Sequence, residues 1–263
     1  MAAAEQPKVK LYWLEKSRAQ SILWLLEELK VDYELELFHR NKQTMLAPPD
    51  LKKIHPLGKS PVISVTPPGA DSKPIVIAET GFIAQYLSEH WGRDSTLVPK
   101  RWKDGQEGRV GGETEAWMRW MYFLHYNEGS LMSLLLMTLV LGMMKSPKVP
   151  FLIRPVTSLV VNQVFSSFIM PNLRTHLAFL EDQLATSGGD YLCGKDLTTA
   201  DIVVSFALIT YQSRFEEIGT WDQKPEALYP KLWAWIARMD AHPGYKKSAE
   251  KIKEIDDSYG VKF

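Results

Sequence analysis

Three short turns hold the residues of this chain whose types and spacing could do chemistry. Ser17-Arg18-Ala19-Gln20 lies between a strand-like run and a helix-like run. Ser17 is a good helix N-cap, and Gln20 three residues on completes a capping box. The same geometry suits an anion. First-turn N–H groups have no intrahelical partner, the helix dipole is positive there, and Arg18 adds a fixed cation. A thiolate would be stabilised at such a place. Gly58-Lys59-Ser60-Pro61-Val62 puts a proline at the mouth of a strand, where its missing ladder donor does no harm. One reading is a plain strand start. The other is a cis Ser60–Pro61 peptide that turns the Ser60 backbone N–H and C=O outward, toward a peptide-like ligand. Ala78-Glu79-Thr80-Gly81 opens a second helix with an acid and a hydroxyl. Both suit capping. Both also suit an amino-acid head group, with the carboxylate taking the ammonium and the hydroxyl and helix N–H groups taking the carboxylate.

Other reactive side chains are sparse. Thr198 and Asp201 form a capping box before Ile202-Val203-Val204, a structural feature. The single cysteine, Cys193, excludes a disulfide within the chain and a zinc cluster built from cysteines. It reads as a small buried hydrophobe. Histidines 39, 55, 90, 125, 176 and 242 show no metal-ligand spacing, so no metal is expected, and no glycine-rich phosphate loop occurs. Lysine plus arginine and aspartate plus glutamate each number 31. That balance gives no electrostatic case for nucleic acid or for an anionic membrane.

The elements that must position these turns follow from periodicity. Val9 to Tyr12 is a strand, and Ile22, Leu25, Leu26 and Leu29 mark one face of a helix. Tyr33 to Leu37 alternates as a half-buried strand. A polar, proline-rich stretch follows, with room for an irregular helix around Asp50 to Ile54. Pro61 to Val65 and Ile75 to Ile77 are strands on either side of a Pro-Pro-Gly turn, and Phe82, Ile83, Tyr86 and Leu87 close the unit with a helix. The order βαβ then ββα implies a parallel pair beside an antiparallel hairpin. Residues 1–92 form this domain and 93–112 a charged, glycine-containing linker. From 113 to 263 the periodicity is helical: Trp117, Trp120, Met121 and Leu124 share one face, and Leu173, Leu177, Leu180 and Leu184 another.

Leu131 to Met144 is almost wholly apolar, but at 14 residues it falls short of the ~20 that cross a bilayer. Phe151 to Met170 is apolar too, broken by Arg154, Pro155, Asn162 and Gln163. Both are expected to pack inside the helical domain or to line its ligand pocket. A membrane-surface contact is the other reading, and is not favoured. The start, Met1-Ala-Ala-Ala-Glu5-Gln-Pro7, lacks the basic and apolar regions of a secretory signal, so a cytoplasmic location is expected.

Taken together, the strand, Ser17-Arg18, Gly58-Lys59-Ser60-Pro61, Glu79-Thr80, the linker and the helices with Thr198-Thr-Ala-Asp201 resemble a cytosolic glutathione transferase. The resemblance spans nearly the whole chain. Trp13 to Arg18, Leu23 to Leu26 and Ala47 to Gly58 are most similar to its fungal branch, which includes a transferase associated with the endoplasmic reticulum. It implies an α/β thioredoxin-like N-terminal domain that binds glutathione, followed by an all-α C-terminal domain that shapes the pocket for a hydrophobic electrophile, in a homodimer. Glutathione would be a co-substrate, with no other cofactor. By resemblance Pro61 is the cis-proline, Ser60 pairs with the cysteinyl backbone, Glu79 and Thr80 anchor the γ-glutamyl group, and Lys59 reaches the glycyl carboxylate. The thiol-activating residue lies between Ser17 and Tyr12, with Arg18 beside either. Serine-type classes place their serine where this chain has Trp13 and Leu14. Tyr126, Glu128 and Ser130 are expected in the electrophile pocket wall. The implied activity is conjugation of glutathione to electrophiles, extending to glutathione-dependent peroxidase activity. The alternative is a non-catalytic binding module of the same fold. A thiol–disulfide oxidoreductase is opposed by the absence of cysteine before Cys193.

Overall fold

The computed structural model describes residues 6–146 and 149–258. Four strands form one mixed sheet: β1 (Lys8–Leu14), β2 (Tyr33–Phe38), β3 (Val62–Thr66) and β4 (Ile75–Ala78), in the order β2-β1-β3-β4. The βαβ unit makes β1 and β2 parallel, while β3 runs antiparallel to both β1 and β4. Leu11 sits opposite Leu35 on one side and Ile63 on the other, so apolar residues align across the sheet. Between β1 and β2 lies α1 (Ala19–Glu28); α2 (Leu51–Ile54) precedes β3, and α3 (Thr80–Trp91) follows β4. This is the thioredoxin-like arrangement that the resemblance implies.

The rest is helical: α4 (Glu115–Tyr126), α5 (Met132–Met143), α6 (Arg154–Val164), α7 (Met170–Thr186), α8 (Thr199–Tyr211), the short α9 (Phe215–Ile218) and α10 (Pro225–Leu228), α11 (Pro230–Ala241) and α12 (Pro243–Ile255). Two wide π-helical turns, Asn127–Leu131 and Phe165–Ile169, join α4 to α5 and α6 to α7. Every residue of α8 is buried. Its first turn is closed by Asp201, which accepts the Thr198 N–H at 3.0 Å as the spacing predicts.

Helix α1 departs from the one-faced pattern read from its sequence. All residues from Ala19 to Leu26 are buried, because α8 and α12 cover what the sheet does not. Gln20 accordingly turns inward: it accepts from Trp13 Nε1 at 3.1 Å and donates to Ser248 Oγ at 2.9 Å. The expected capping box of Ser17 with Gln20 is therefore not made. Ser17 alone caps, its Oγ accepting the Ala19 N–H at 3.2 Å.

The apolar segments also depart from expectation. Leu131, Met132, Leu134 and Leu135 are buried, as are Val161, Ile169 and Met170. Val140, Met143, Phe151, Leu152, Val156 and Leu159 are exposed. Each helix packs one stripe and leaves the other facing outward. Among the described residues no helix is long and apolar enough to cross a membrane.

The last helix is fastened to the first domain by charge. Glu27 of α1 accepts from Lys247 at 2.7 Å and Lys251 at 2.8 Å on α12, and the Tyr33 hydroxyl donates to it as well. Burial opposes the Glu27 charge, but the bonds from Lys247, Lys251 and Tyr33 outweigh it and hold its pKa at about 2. A carboxyl group held below its unfolded value adds stability above that value, and the gain is lost as pH falls through the folded one. Both lysines are substantially exposed, so solvent screening trims the gain to about 2 kcal/mol. Wild type should thus exceed Glu27→Gln in stability by that amount above pH 4.5, with the gap closing as pH falls toward 2. Urea unfolding of both proteins across the acid range measures it.

Candidate active site

A cleft of about 330 Å³ opens where the carboxyl end of β1, the loop before β3 and the start of α3 converge, with α5 and α8 on its far side. It gathers Ser17, Arg18, Lys59, Ser60, Pro61, Glu79 and Thr80, the residues singled out on the three turns. The Ser60–Pro61 peptide is cis. Gly58 before it has φ +57°, and a Cβ there would stand 2.6 Å from Lys52 Cγ, so the loop needs glycine.

The first turn of α1 forms one wall. Ser17 is buried, and its Oγ donates to the Leu14 carbonyl at 2.7 Å. That carbonyl holds the one proton of the hydroxyl. Ser60 Oγ lies 3.3 Å from Ser17 Oγ and also 3.3 Å from the Tyr12 carbonyl, to which it donates. The Tyr12 side chain goes elsewhere. Its hydroxyl lies 3.4 Å from Ser64 Oγ and its ring packs near Phe38. Tyr12 does not line the cleft, so the structure does not bring this candidate to the site; its carbonyl only accepts from Ser60.

Arg18 reaches across to the helical domain and pairs with Glu128, whose other oxygen accepts from Asn127 Nδ2 at 2.7 Å. Burial raises the Glu128 pKa, Arg18 and Asn127 oppose the rise, and the Glu79 charge adds to it. Glu79 and Glu128 thus form a shared acidic end with Arg18 between domains. Glu79 sits at φ +75°, a region costly for a side chain bearing a Cβ. It makes no side-chain cap to α3, so ordinary capping is not its task. Thr80 beside it is buried, and its hydroxyl finds no hydrogen-bond partner among the described residues.

The opposite end is basic. Lys16, Arg40, His55 and Lys59 line it. Arg40 is half-buried and donates to the backbone carbonyls of Glu15, Lys16 and Met45, tying the loop after β1 to the loop after β2. Sequence reading missed Lys16, Arg40 and His55, which lie in polar stretches without periodicity. The apolar wall is made by Met132 and Leu136, both within the run from Leu131 to Met144 expected to pack inside or to line the pocket, and by Phe206, which sequence reading missed.

None of the expected electrophile-wall residues lines the cleft; Glu128 stands behind it, paired with the lining Arg18. Tyr126 and Ser130 line a separate concavity with Met118, Met121, Tyr122 and His125. The buried Tyr126 hydroxyl lies 2.7 Å from His176 Nδ1, and burial lowers the His176 pKa.

Family models for the N-terminal and C-terminal domains of glutathione S-transferase match residues 17–90 and 166–238. Glutathione S-transferase 1 of Saccharomyces cerevisiae is 30% identical, over 96% of this chain and 99% of that protein. The chain belongs to the glutathione S-transferase family. Among solved structures, a glutathione S-transferase from Actinobacillus pleuropneumoniae matches with TM-score 0.63 and 27% identity, covering 96% of this chain and 94% of that one. A glutathione transferase homologue from Lodderomyces elongisporus, solved with two glutathione molecules per subunit, has the same fold (TM-score 0.64, 20% identity, 93% and 98% covered). The transferase fold and the enzyme class expected from the resemblance both stand.

The unpartnered Thr80 hydroxyl makes a test that needs no ligand. A buried polar group without a partner costs about 1–3 kcal/mol, and valine has the same shape without the hydroxyl. Thr80→Val should leave the free transferase at least as stable, by up to about 1 kcal/mol. The unfolding midpoints of the two proteins, each without glutathione, decide this.

Proposed function

We propose that the cleft binds glutathione with its ammonium at the Glu79–Glu128 end and its glycyl carboxylate at the basic end, and joins its sulfur to an apolar electrophile. The separation of charge along the cleft is the observation that supports this most strongly. Glutathione carries an ammonium and two carboxylates, and each finds an opposite charge or helix N-terminus here. Thr80 and the first turn of α3 take the γ-glutamyl carboxylate, Glu79 takes the ammonium, and Ser60 with Pro61 presents backbone to the cysteinyl unit. Lys59, Lys16 and Arg40 hold the glycyl end. Met132, Leu136 and Phe206 replace Tyr126 and Ser130 as the electrophile wall. The sulfur lone pair forms the S–C bond, and the leaving group departs with its bonding electrons. Exposed Val76, Phe82, Met118 and Tyr122, on β4, α3 and α4, support the homodimer. A cytoplasmic, detoxifying enzyme fits this chemistry.

The geometry sets how far the thiol is activated. A free thiol has a pKa near ~8.5. A helix N-terminus stabilises a nearby anion by about 0.3–1 kcal/mol. Ser17 must release the Leu14 carbonyl to reach the sulfur. It gives up a neutral bond of about 0.5–1.5 kcal/mol for a charged one of about 1.5–3, a net gain near 1. The Arg18 charge is largely met by Glu128 and adds little. Together these lower the thiol pKa by about 1–1.5 units, to roughly 7–7.5.

Four substitutions test the assignment. Glu79→Ala should weaken glutathione binding about tenfold to a hundredfold, read by calorimetric titration; an unchanged dissociation constant would place the ligand elsewhere. Ser17→Ala should raise the pKa of the bound thiol by less than one unit and lower stability by about 1 kcal/mol through the lost cap. Glu128→Gln removes a negative charge from the cleft, so it should lower the thiol pKa while weakening the hold on the ammonium. Tyr12→Phe should leave the pKa in place. Thiolate absorbance of the bound tripeptide against pH reports all three. Turnover of an aryl halide beside retention on immobilised glutathione separates the enzyme from a binding module: retention without turnover would favour the latter.

A further inference from the structure

Helix α6, the second π-helical turn and α7 follow one another without a break. Asn162, Ser166, Met170 and Arg174 stand at intervals of four along them. On an α-helix each such step drifts by about 40°, so the first and last would face directions about 120° apart. The π turn Phe165–Ile169 takes up one extra position and cancels most of that drift. All four residues line one concavity of about 440 Å³, which Lys145 and Phe165 also line. Ile218, Gly219 and Thr220 close it from the end of α9. Gly219 is pressed against α7 there: a Cβ on it would stand 2.5 Å from Met170 Sδ.

One half of this concavity is cationic. Lys145 Nζ donates to Asn162 Oδ1 at 2.9 Å, and Arg174 Nη2 donates to the Thr220 carbonyl at 2.7 Å. Both acceptors are neutral. The Arg174 guanidinium lies 5.5 Å from the Trp221 ring, which helps to orient it. No Asp or Glu occurs between Glu128 and Glu181, and among the described residues none lines the concavity. Elsewhere exposed cations do find acids: Lys53 meets Asp50, Lys100 meets Asp104 and Arg238 meets Asp190. Two positive charges over one hollow, with no acid among the described lining residues, attract an anion. The other half is apolar, made by Phe165, Met170 and Ile218. The volume falls in the ordinary range of small-molecule sites.

We propose that this concavity binds a small aromatic phosphomonoester. A phosphate monoester carries nearly two negative charges near neutral pH, on three acceptor oxygens. Lys145 meets it as a point charge and Arg174 as a planar fork, whose Nε and Nη1 have no partner among the described residues. The aromatic body of the ligand lies against Phe165 and Ile218. A carboxylate would bring one charge to two cations, and inorganic phosphate would leave the apolar half in water. The site shares no lining residue with the cleft, and it does not depend on the glutathione reading.

Calorimetric titration of the full chain with 1-naphthyl phosphate, in the presence of glutathione, is the test. Saturable binding is expected. Inorganic phosphate and 1-naphthol, each one half of the probe, should bind about tenfold more weakly or worse, and 1-naphthoate about tenfold more weakly. Lys145→Gln and Arg174→Gln should each weaken the probe about tenfold at an unchanged unfolding midpoint, since both residues are exposed. Ile218→Asp, which sets a carboxylate on the apolar wall, should abolish binding. Lys59→Gln, at the basic end of the cleft, should leave it as it is. Absence of any probe binding would overturn the proposal, as would 1-naphthol binding equally well or an affinity that neither cation substitution moves. 1-Naphthoate binding as tightly as the phosphate would overturn the choice of a phosphomonoester. A loss with Lys59→Gln alone would place the probe in the cleft and overturn the second site. Probe binding without any glutathione binding would instead sink the glutathione reading and leave this one standing.

Discussion

A helix buried along its whole length cannot give its unpaired end groups to water, and α8 is such a helix. Asp201 resolves its N-terminus. One carboxylate accepts the Leu192 N–H and Trp235 Nε1–H on one oxygen, and the Thr198 N–H and hydroxyl on the other. Burial raises the Asp201 pKa, and these four bonds oppose the rise. The carboxylate thereby ties the loop around Leu192, the start of α8 and the middle of α11 at one point. With its end settled, α8 can serve as the post that α1, α3, α4 and α11 pack against. Its Phe206 then reaches the cleft, where it joins Met132 and Leu136 of α5 in the apolar wall.

The cleft needs both halves of the molecule. The sheet domain supplies the turns, but the charge of Arg18 is answered from the helical half, by Glu128. Gly81 allows that approach: a Cβ there would lie 3.1 Å from the Leu124 carbonyl, so α3 and α4 meet backbone to backbone. The linker is held in the same assembly. Its Leu97 carbonyl accepts the Thr199 N–H at 3.0 Å, and Ser88 at the end of α3 bonds Thr199 Oγ1 at 2.7 Å. An ion pair between domains, close helices and a fastened connection together keep the acidic end of the cleft from opening.

Residues whose role is set by neighbours in sequence were legible; those set by neighbours in space were not. Alternation marked Tyr33 to Leu37, and the proline at 61 marked both a strand mouth and the cis peptide. Asp201 followed Thr198 at capping distance and closes that cap. Gln20 stood at the same distance from Ser17 but turned to Trp13 and Ser248, the second of these more than two hundred positions away. Arg40 sits in a polar stretch that gives no hint of the three carbonyls it joins. Tyr12 is a candidate by resemblance alone, and its phenol lies near Ser64 on the neighbouring strand. The apolar run from 131 to 144 was seen as apolar, but composition alone does not say which stripe meets the core.

The π-helical turn at Asn127–Leu131 carries one residue more per turn than the α-helices it joins. Each residue of an α-helix rotates the next by about 100°. One extra position therefore resets the phase of everything after it. Glu128 lies within that turn and is aimed at Arg18, while α5 beyond it presents a stripe offset from that of α4. Losing a single residue here would rewind the turn into ordinary helix. It would swing Glu128 away from the cleft and rotate the outward stripe of α5 toward the interior, an indel acting at once on both ends of the same rod.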